Sequence, residues 1–326
     1  MSFPNVKLKL LLLFLSFGLW SCLGDAPRNN PLDPSNNNST LSSLNGTVLT
    51  YRVPHQAISG VKVIWENDNI YSYTDNLGKF NLKDVTREPG WLFFETNAYL
   101  FDSVFIDWKT ISSGVEKYLN TKPVLQNVLF YSSIRNRYPD RKIISLNLNI
   151  DISDADNDVD SVLIQSQSLG ISTYLNYDAG KKVYQRSLTM SDLNINSADA
   201  VIGHVFEIFA RDILNNKILL TEEIVKRIVK EEVITKAPDS DTLSLTPTLN
   251  WEPIDPGFPC KFMVEIYIDD INPPLAWTKD NISFTTTSIT VDTPLEENRY
   301  FWIVWVIDEF ENRSASKPKT FYAKTL

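Results

Sequence analysis

Cysteine and histidine are scarce in this chain of 326 residues, with two of each. Two cysteines cannot build a disulfide framework, and Cys260 alone cannot build a cysteine zinc site. Cys260 follows Pro259 at the start of an apparent strand, with no activating partner beside it, so an inert thiol is expected. His55 and His204 stand in strand or turn context and in no paired metal-binding spacing. GxSxG, GxGxxG and P-loop motifs are absent, and no spacing of carboxylates marks an acid/base couple. The sequence therefore predicts no enzyme and no cofactor. Positive charge is also in deficit. The net charge of -9 argues against nucleic acid as a partner and against a polybasic membrane patch. Long apolar runs are missing too. Leu8 and Leu10 to Leu19, interrupted by Ser16 and Gly18, fall short of the roughly 20 residues a membrane-spanning helix needs.

What that N-terminal stretch does contain is a targeting pattern. Lys7 and Lys9 precede the apolar core, and Leu19-Trp20-Ser21-Cys22 closes it. This resembles the lipobox of bacterial lipoproteins. The resemblance implies that the Cys22 thiol is acylated, that the chain is cut before it, and that acyl chains hold the protein on a membrane at about 0.8 kcal/mol per buried CH₂. Trp20 departs from the smaller residue usual at that place. A cleaved secretory signal with an incidental cysteine is the plainer alternative. Loss of residues 1–21 removes Lys7 and Lys9 and no acid, leaving a net charge of -11. Residues 22–43 are rich in Asn, Ser, Pro and Asp and too poor in apolar side chains to offset ordering entropy, so a flexible tether is expected.

The remainder reads as strands. "LNGTVLTY" and "GVKVIWEN" alternate with a period of two, and Asp75, Asn76 and Gly78 mark a turn before Phe80 and Leu82. Gly46, Val48, Gly60, Val61, Val63, Thr74, Asp75, Gly78, Phe80 and Leu82 together resemble the carboxypeptidase regulatory-like domain. That resemblance, over residues 44–120, implies a seven-stranded sandwich that acts as a spacer or binding unit. Residues 121–140 are expected to be a connector with a short strand. Ile144, Leu146, Leu148 and Ile150 alternate cleanly, and Phe206, Ile208 and Ala210 oppose Val205, Glu207, Phe209 and Arg211. Residues 141–232 therefore read as an immunoglobulin-like sandwich. "TEEIVKRIVKEEVITK" fits a helical stripe or a strand, and its β-branched residues favour a strand followed by linker. In residues 233–326, Trp251, Leu295, Tyr300, Trp302, Val304, Val306, Asp308 and Asn312 resemble a fibronectin type III domain. That resemblance implies a core tryptophan at 251 and a corner tyrosine at 300. The fold class is all-β, with three tandem sandwiches.

Two features are candidates for binding. Asp154, Asp156 and Asp158 share the start of an EF-hand loop, but Val159 replaces the turn glycine and Gln165 the closing glutamate. A looser calcium site and a solvated acidic turn are the two readings. On the strand at 299–308, Phe301, Ile303, Trp305 and Ile307 form a second apolar face opposite the core face. A sandwich strand normally has one polar face, so Phe301 and Trp305 mark either a partner or sugar surface, or packing against neighbouring side chains. The expected function is a lipid-anchored protein of the bacterial cell envelope, at the outer membrane or cell surface. It would have a non-catalytic binding or structural role towards a protein partner. The alternatives are glycan capture in nutrient uptake and an enzyme with an interdomain site.

Overall fold

The computed structural model describes residues 41–110 and 114–325. They fall into two compact units, divided between Thr121 and Lys122. The expected signal peptide, Cys22 and most of the expected tether lie outside the described residues. No helix among the described residues is long and apolar enough to cross a membrane.

The first unit contains β1 (Leu41–Thr50), β2 (Lys62–Trp65), β3 (Ile70–Tyr73), β4 (Lys79–Thr86), β5 (Gly90–Glu95), β6 (Asp102–Ile106) and β7 (Val115–Leu119). A three-stranded sheet in the order β4-β1-β7 faces a four-stranded sheet in the order β3-β2-β5-β6. The alternating residues Val63, Trp65, Leu92 and Phe94 point inward from the second sheet and meet Leu44, Val48, Phe80 and Leu82 from the first. Gly46 is required where β1 passes β7, because a Cβ there would lie 2.1 Å from the Val115 carbonyl oxygen.

The second unit holds two sandwiches. One is built from β8 (Val124–Arg137), β9 (Arg141–Ser153), β10 (Val159–Ser166), β11 (Ile171–Tyr174), β12 (Asn176–Asp178), β13 (Val183–Thr189), β14 (Val205–Asp212) and β15 (Lys217–Ile224). Its sheets run β11-β10-β14-β15 and β12-β13-β9-β8. The other comprises β16 (Thr235–Ala237), β17 (Asp241–Leu243), β18 (Thr248–Trp251), β19 (Cys260–Ile268), β20 (Leu275–Ser283), β21 (Ser288–Thr290), β22 (Asn298–Asp308), β23 (Arg313–Ala315) and β24 (Lys319–Ala323). Here β16-β18-β21 faces a sheet in which β20, β19 and β22 are neighbours and β24 pairs with β22. Trp251 and Tyr300 are both buried. The Tyr300 hydroxyl donates to the Glu296 carbonyl at 2.9 Å, the back-bond of a tyrosine corner, so this sandwich is fibronectin type III-like.

The segment 121–140 differs from expectation. It is not a connector with a short strand but supplies β8, fourteen residues long and paired with β9 from Val124↔Ser153 to Arg137↔Arg141. Its inward residues run Val128, Phe130, Ser132, Ile134 and Asn136. The polar members hide the apolar alternation, and their partners lie in the next sandwich. β8 pairs in parallel with β23 at Ser133↔Arg313, Ile134↔Ser314 and Arg135↔Ala315, which fuses two sheets into one of ten strands. The Ser132 N–H and hydroxyl both donate to Asn312 Oδ1, at 2.8 and 2.9 Å. Asn136 Nδ2 donates to the Ala315 carbonyl at 2.7 Å. The strand-then-linker reading of 221–236 agrees with the structure, in which β15 ends at Ile224. In the linker, Val225 and Ile228 pack in one core, while Val229 and Val233 pack in the next.

Four turns share one device. An aspartate side chain accepts the N–H four residues on: Asp75 from Lys79, Asp154 from Asp158, Asp212 from Asn216 and Asp308 from Asn312, at 2.7–2.9 Å. In each the residue before that N–H has positive φ: Gly78, Asn157, Asn215 and Glu311. The side chain satisfies turn donors, and the left-handed residue carries the chain into the next strand. At the last turn Glu311 takes the place where glycine is common, at φ 66°. It bridges Lys261 at 2.8 Å and Arg313 at 3.4 Å.

Asn312→Ala leaves the buried Ser132 donors without a partner and removes the Nδ2 bond to the buried Asp308 carboxylate. It is expected to destabilise the second unit by about 2–4 kcal/mol in urea unfolding, whereas Asn216→Ala, at the homologous turn away from the junction, costs about 1 kcal/mol. Burial pushes the Asp308 carboxyl above its ordinary value, against the opposing hydrogen bonds from Asn312 and Phe310. The folded state therefore keeps a proton that the unfolded chain has already lost. The Asp308 contribution to stability is largest at low pH and declines as pH rises from about 4. The stability of wild type relative to Asp308→Asn is expected to fall over that range in unfolding titrations.

Candidate functional site

The sequence placed its contact face on β22, and alternation sets that face. Tyr300, Trp302, Val304 and Val306 point into the core, and Phe301, Ile303, Trp305 and Ile307 point out of the sandwich. The outward set is not open. Trp305 is 3% exposed and Ile307 3%, because they form a second small cluster with Ile303 and Ala315, with Met263 and Tyr267 packed at its margin. Met263 and Ala315 flank Trp305 on the neighbouring strands β19 and β23.

The cover is cationic. The Arg135 guanidinium lies 5.5 Å from the Trp305 ring centroid, and that of Arg313 lies 6.0 Å away. Arg313 also stands 4.2 Å over the Tyr131 ring. Arg135 comes from β8, so the strand pairing that joins the sandwiches also lays one sandwich's arginine on the other's tryptophan. Two donors converge on one oxygen beneath: Trp305 Nε1 and the Tyr267 hydroxyl each reach Glu265 Oε2 at 2.7 Å. Burial, and then the hydrogen bond to Glu265, raise the Tyr267 phenol above its ordinary value and keep it a donor. Tyr267 stacks in parallel on half-buried Phe301, with centroids 5.2 Å apart.

A cleft of about 160 Å³ opens beside this pair, lined among others by Arg135, Arg137, Tyr267, Pro273, Phe301 and Pro318. Small-molecule sites run to about 300–1,000 Å³, so this cleft admits one projecting side chain and not a whole ligand. Farther along the ten-stranded sheet the same face turns polar and self-bonded. Ser133 and Ser145 hydroxyls lie 2.9 Å apart, Asn147 Nδ2 donates to Ser133 at 2.9 Å, and Ser187 donates to Asn147 Oδ1 at 2.9 Å.

The acidic loop lies elsewhere in the second unit, between β9 and β10. Asp154 is the turn cap described above, and its Oδ2 also accepts from Val159 N–H at 3.2 Å. Asp158 is buried, and its carbonyl accepts from Ile213 N–H at 3.0 Å. Among the described residues no group of three or more His, Cys, Asp or Glu side chains is placed to hold a metal ion. His204 Nδ1 lies 2.7 Å from the Ser168 hydroxyl, and His55 Nδ1 lies 2.8 Å from the Thr50 carbonyl. Burial, and then nearby acids, raise the Cys260 thiol, the opposite of nucleophilic activation. Sequence reasoning missed the arginine cover and Glu265. Arg135 and Arg313 are 178 residues apart, and nothing local in the sequence pairs them.

Arg135→Ala is expected to expose the Trp305 ring, red-shift the tryptophan emission and raise its quenching by acrylamide. The accompanying loss of stability is only about 0.5–1 kcal/mol, the size of one exposed cation–π contact.

No family model matches the sequence, and no curated protein matches it. Solved structures with similar folds include fibronectin(III)-like modules of CbhA from Clostridium thermocellum. These are 14% identical, cover 62% of this chain and 93% of that one, and have a TM-score of 0.27. The TIE protein of Bacillus anthracis is 12% identical, with 87% of this chain and 49% of that one covered and a TM-score of 0.25. A structure concerned with host cell surface retention of a 1.5-MDa bacterial ice-binding adhesin is 12% identical, with 87% and 90% covered and a TM-score of 0.22. Scores this low add no argument to the geometry, in which the described residues form three β-sandwiches.

Proposed function

We propose that this chain is a lipid-anchored protein of the bacterial cell envelope with a non-catalytic role, and that its second unit is a rigid platform for a protein partner. The observation that carries the reading is the ten-stranded sheet running through two sandwiches, closed by buried side-chain bonds between Ser132 and Asn312 and between Asn136 and Ala315. Independent domains joined by an exposed linker need no such closure. Here the linker itself contributes Val225, Ile228, Val229 and Val233 to the two cores. Such a body holds its outer face in one shape, which favours binding because little ordering entropy is lost.

The character of that face favours protein over glycan. Its cleft is the size of one side chain, its arginines offer planar donors to carboxylates, and its serine and asparagine groups are bonded to one another. A glycan-binding role in nutrient uptake is the second reading. The anchor rests on the Leu19-Trp20-Ser21-Cys22 pattern.

Metabolic labelling with a palmitate analogue, comparing wild type with Cys22→Ala, tests the anchor. Label on the wild type and none on the variant is the expected result, and absence of label from both rejects it. Protease shaving of intact cells then separates the surface from the periplasmic leaflet.

A further inference from the structure

The first unit carries an apolar face of a different kind. On the sheet β3-β2-β5-β6, the residues that alternate with the core point away from it. Tyr71 pairs with Ile64, Ile64 with Phe93, and Trp91 with Phe105, so these side chains form rows across the outer surface. Phe101, just before β6, stacks on Phe93 at 5.7 Å. Among the described residues no arginine stands over these rings. Tyr71 is 56% exposed, Trp91 44%, Phe101 60% and Phe105 51%. Isolated exposed aromatics are ordinary; a contiguous group on one sheet face marks an interaction surface.

Size and geometry narrow the occupant. Four strands about 4.8 Å apart and about five residues long present roughly 300 Å². That is well below the ~800 Å² per partner that a stable dimer buries. Sugar stacking calls for rings lying flat to the surface, but Tyr71 meets Tyr73 at 82° and Trp91 meets Phe105 at 69°. On this face Lys62 is 3.9 Å from Glu95 and 5.0 Å from the Tyr71 ring centroid. Among the described residues, the charges of Lys62 and Glu95 offset each other, so the face is close to neutral. Tryptophan, tyrosine and phenylalanine on a small neutral patch suit the headgroup level of a bilayer.

The attachment point agrees. Eighteen residues separate Cys22 from Leu41, a length that spans at most about 65 Å. Leu41 pairs with Thr86, and Thr86 N–H and Oγ donate to Asp68 in the turn after β2. Two residues before Asp68, Glu66 exchanges bonds with the Trp91 backbone. The chain from Cys22 therefore enters at the end of the sandwich where Trp91 and Phe105 stand. A tether that short raises the effective concentration of lipid at the face, so a weak patch suffices.

We propose that the outer face of the β3-β2-β5-β6 sheet docks on the lipid surface that anchors Cys22, with Trp91 and Phe105 at headgroup depth. The inference rests on the lipid-anchor reading.

The test uses the full chain, acylated in cells and reconstituted in vesicles of phosphatidylcholine and phosphatidylethanolamine doped with brominated phosphatidylcholine. Quenching of tryptophan emission is expected, with most of it lost in Trp91→Phe and retained in Trp305→Phe. Both replacements keep an aromatic ring, and thermal unfolding verifies that the variants fold. An acylated chain whose Trp91 is not quenched overturns docking and leaves the anchor standing. A chain that is not acylated, but is quenched through Trp91 when vesicles are added, supports docking and overturns the anchor. Self-association on sedimentation that is lost in Trp91→Ser, with no quenching, assigns the face to a second copy and rejects the lipid.

Discussion

Everything in the second unit depends on the short parallel pairing of β8 with β23. Three residues of β23 bridge two sheets that would otherwise end in open edges. An unpaired edge is a liability in any β protein, and joining two edges removes both. The junction is closed from within by Asn312, which serves two sandwiches at once. Its side-chain oxygen receives Ser132, and its Nδ2 donates to Asp308 Oδ2 at 3.2 Å. Arg227 Nη1 stands 3.5 Å from the same carboxylate oxygen. Buried polar groups cost stability when they lose their partners, so the bonds of Asn312 favour one alignment of the two bodies.

The same pairing decides the fate of the apolar strand β22. One of its faces is ordinary core. The other becomes buried because Arg135 and Arg313, brought together by β8 and β23, lie over Trp305. Guanidinium groups do this well, being planar, weakly hydrated and attracted to the ring face. The first unit shows the contrasting case. Its outer aromatic face has no such cover and stays exposed. Two sheets with comparable outward sequence patterns thus differ in accessibility through what their neighbours contribute.

The acidity of the chain also has a structural component. Asp75, Asp154, Asp212 and Asp308 each close a turn by accepting the N–H four residues later. A β-rich chain needs many turns, and aspartate is suited to them because its short carboxylate reaches nearby backbone donors. Asp154, which the sequence pattern offered as a calcium ligand, sits in the same geometry as Asp75, Asp212 and Asp308. The extra aspartates at 156 and 158 made this turn look different in sequence, although its backbone construction is shared.

The sequence by itself determined the strands, the faces and most turns. Period-two alternation is a local property, and it separated the two faces of β9, β14 and β22, while the tyrosine corner at Tyr300 followed from the fibronectin type III resemblance. The resemblance of Leu19-Trp20-Ser21-Cys22 to a lipobox is likewise read from residues in order. Tertiary structure decided what alternation cannot encode. β8 looked like a connector because Ser132 and Asn136 interrupt its apolar face, and their reason lies about 180 residues away in Asn312 and Ala315. Whether Trp305 is a contact residue or a covered one depended on Arg135, from a different sandwich. Local pattern specifies which way a side chain points; only packing between distant segments specifies what it meets there.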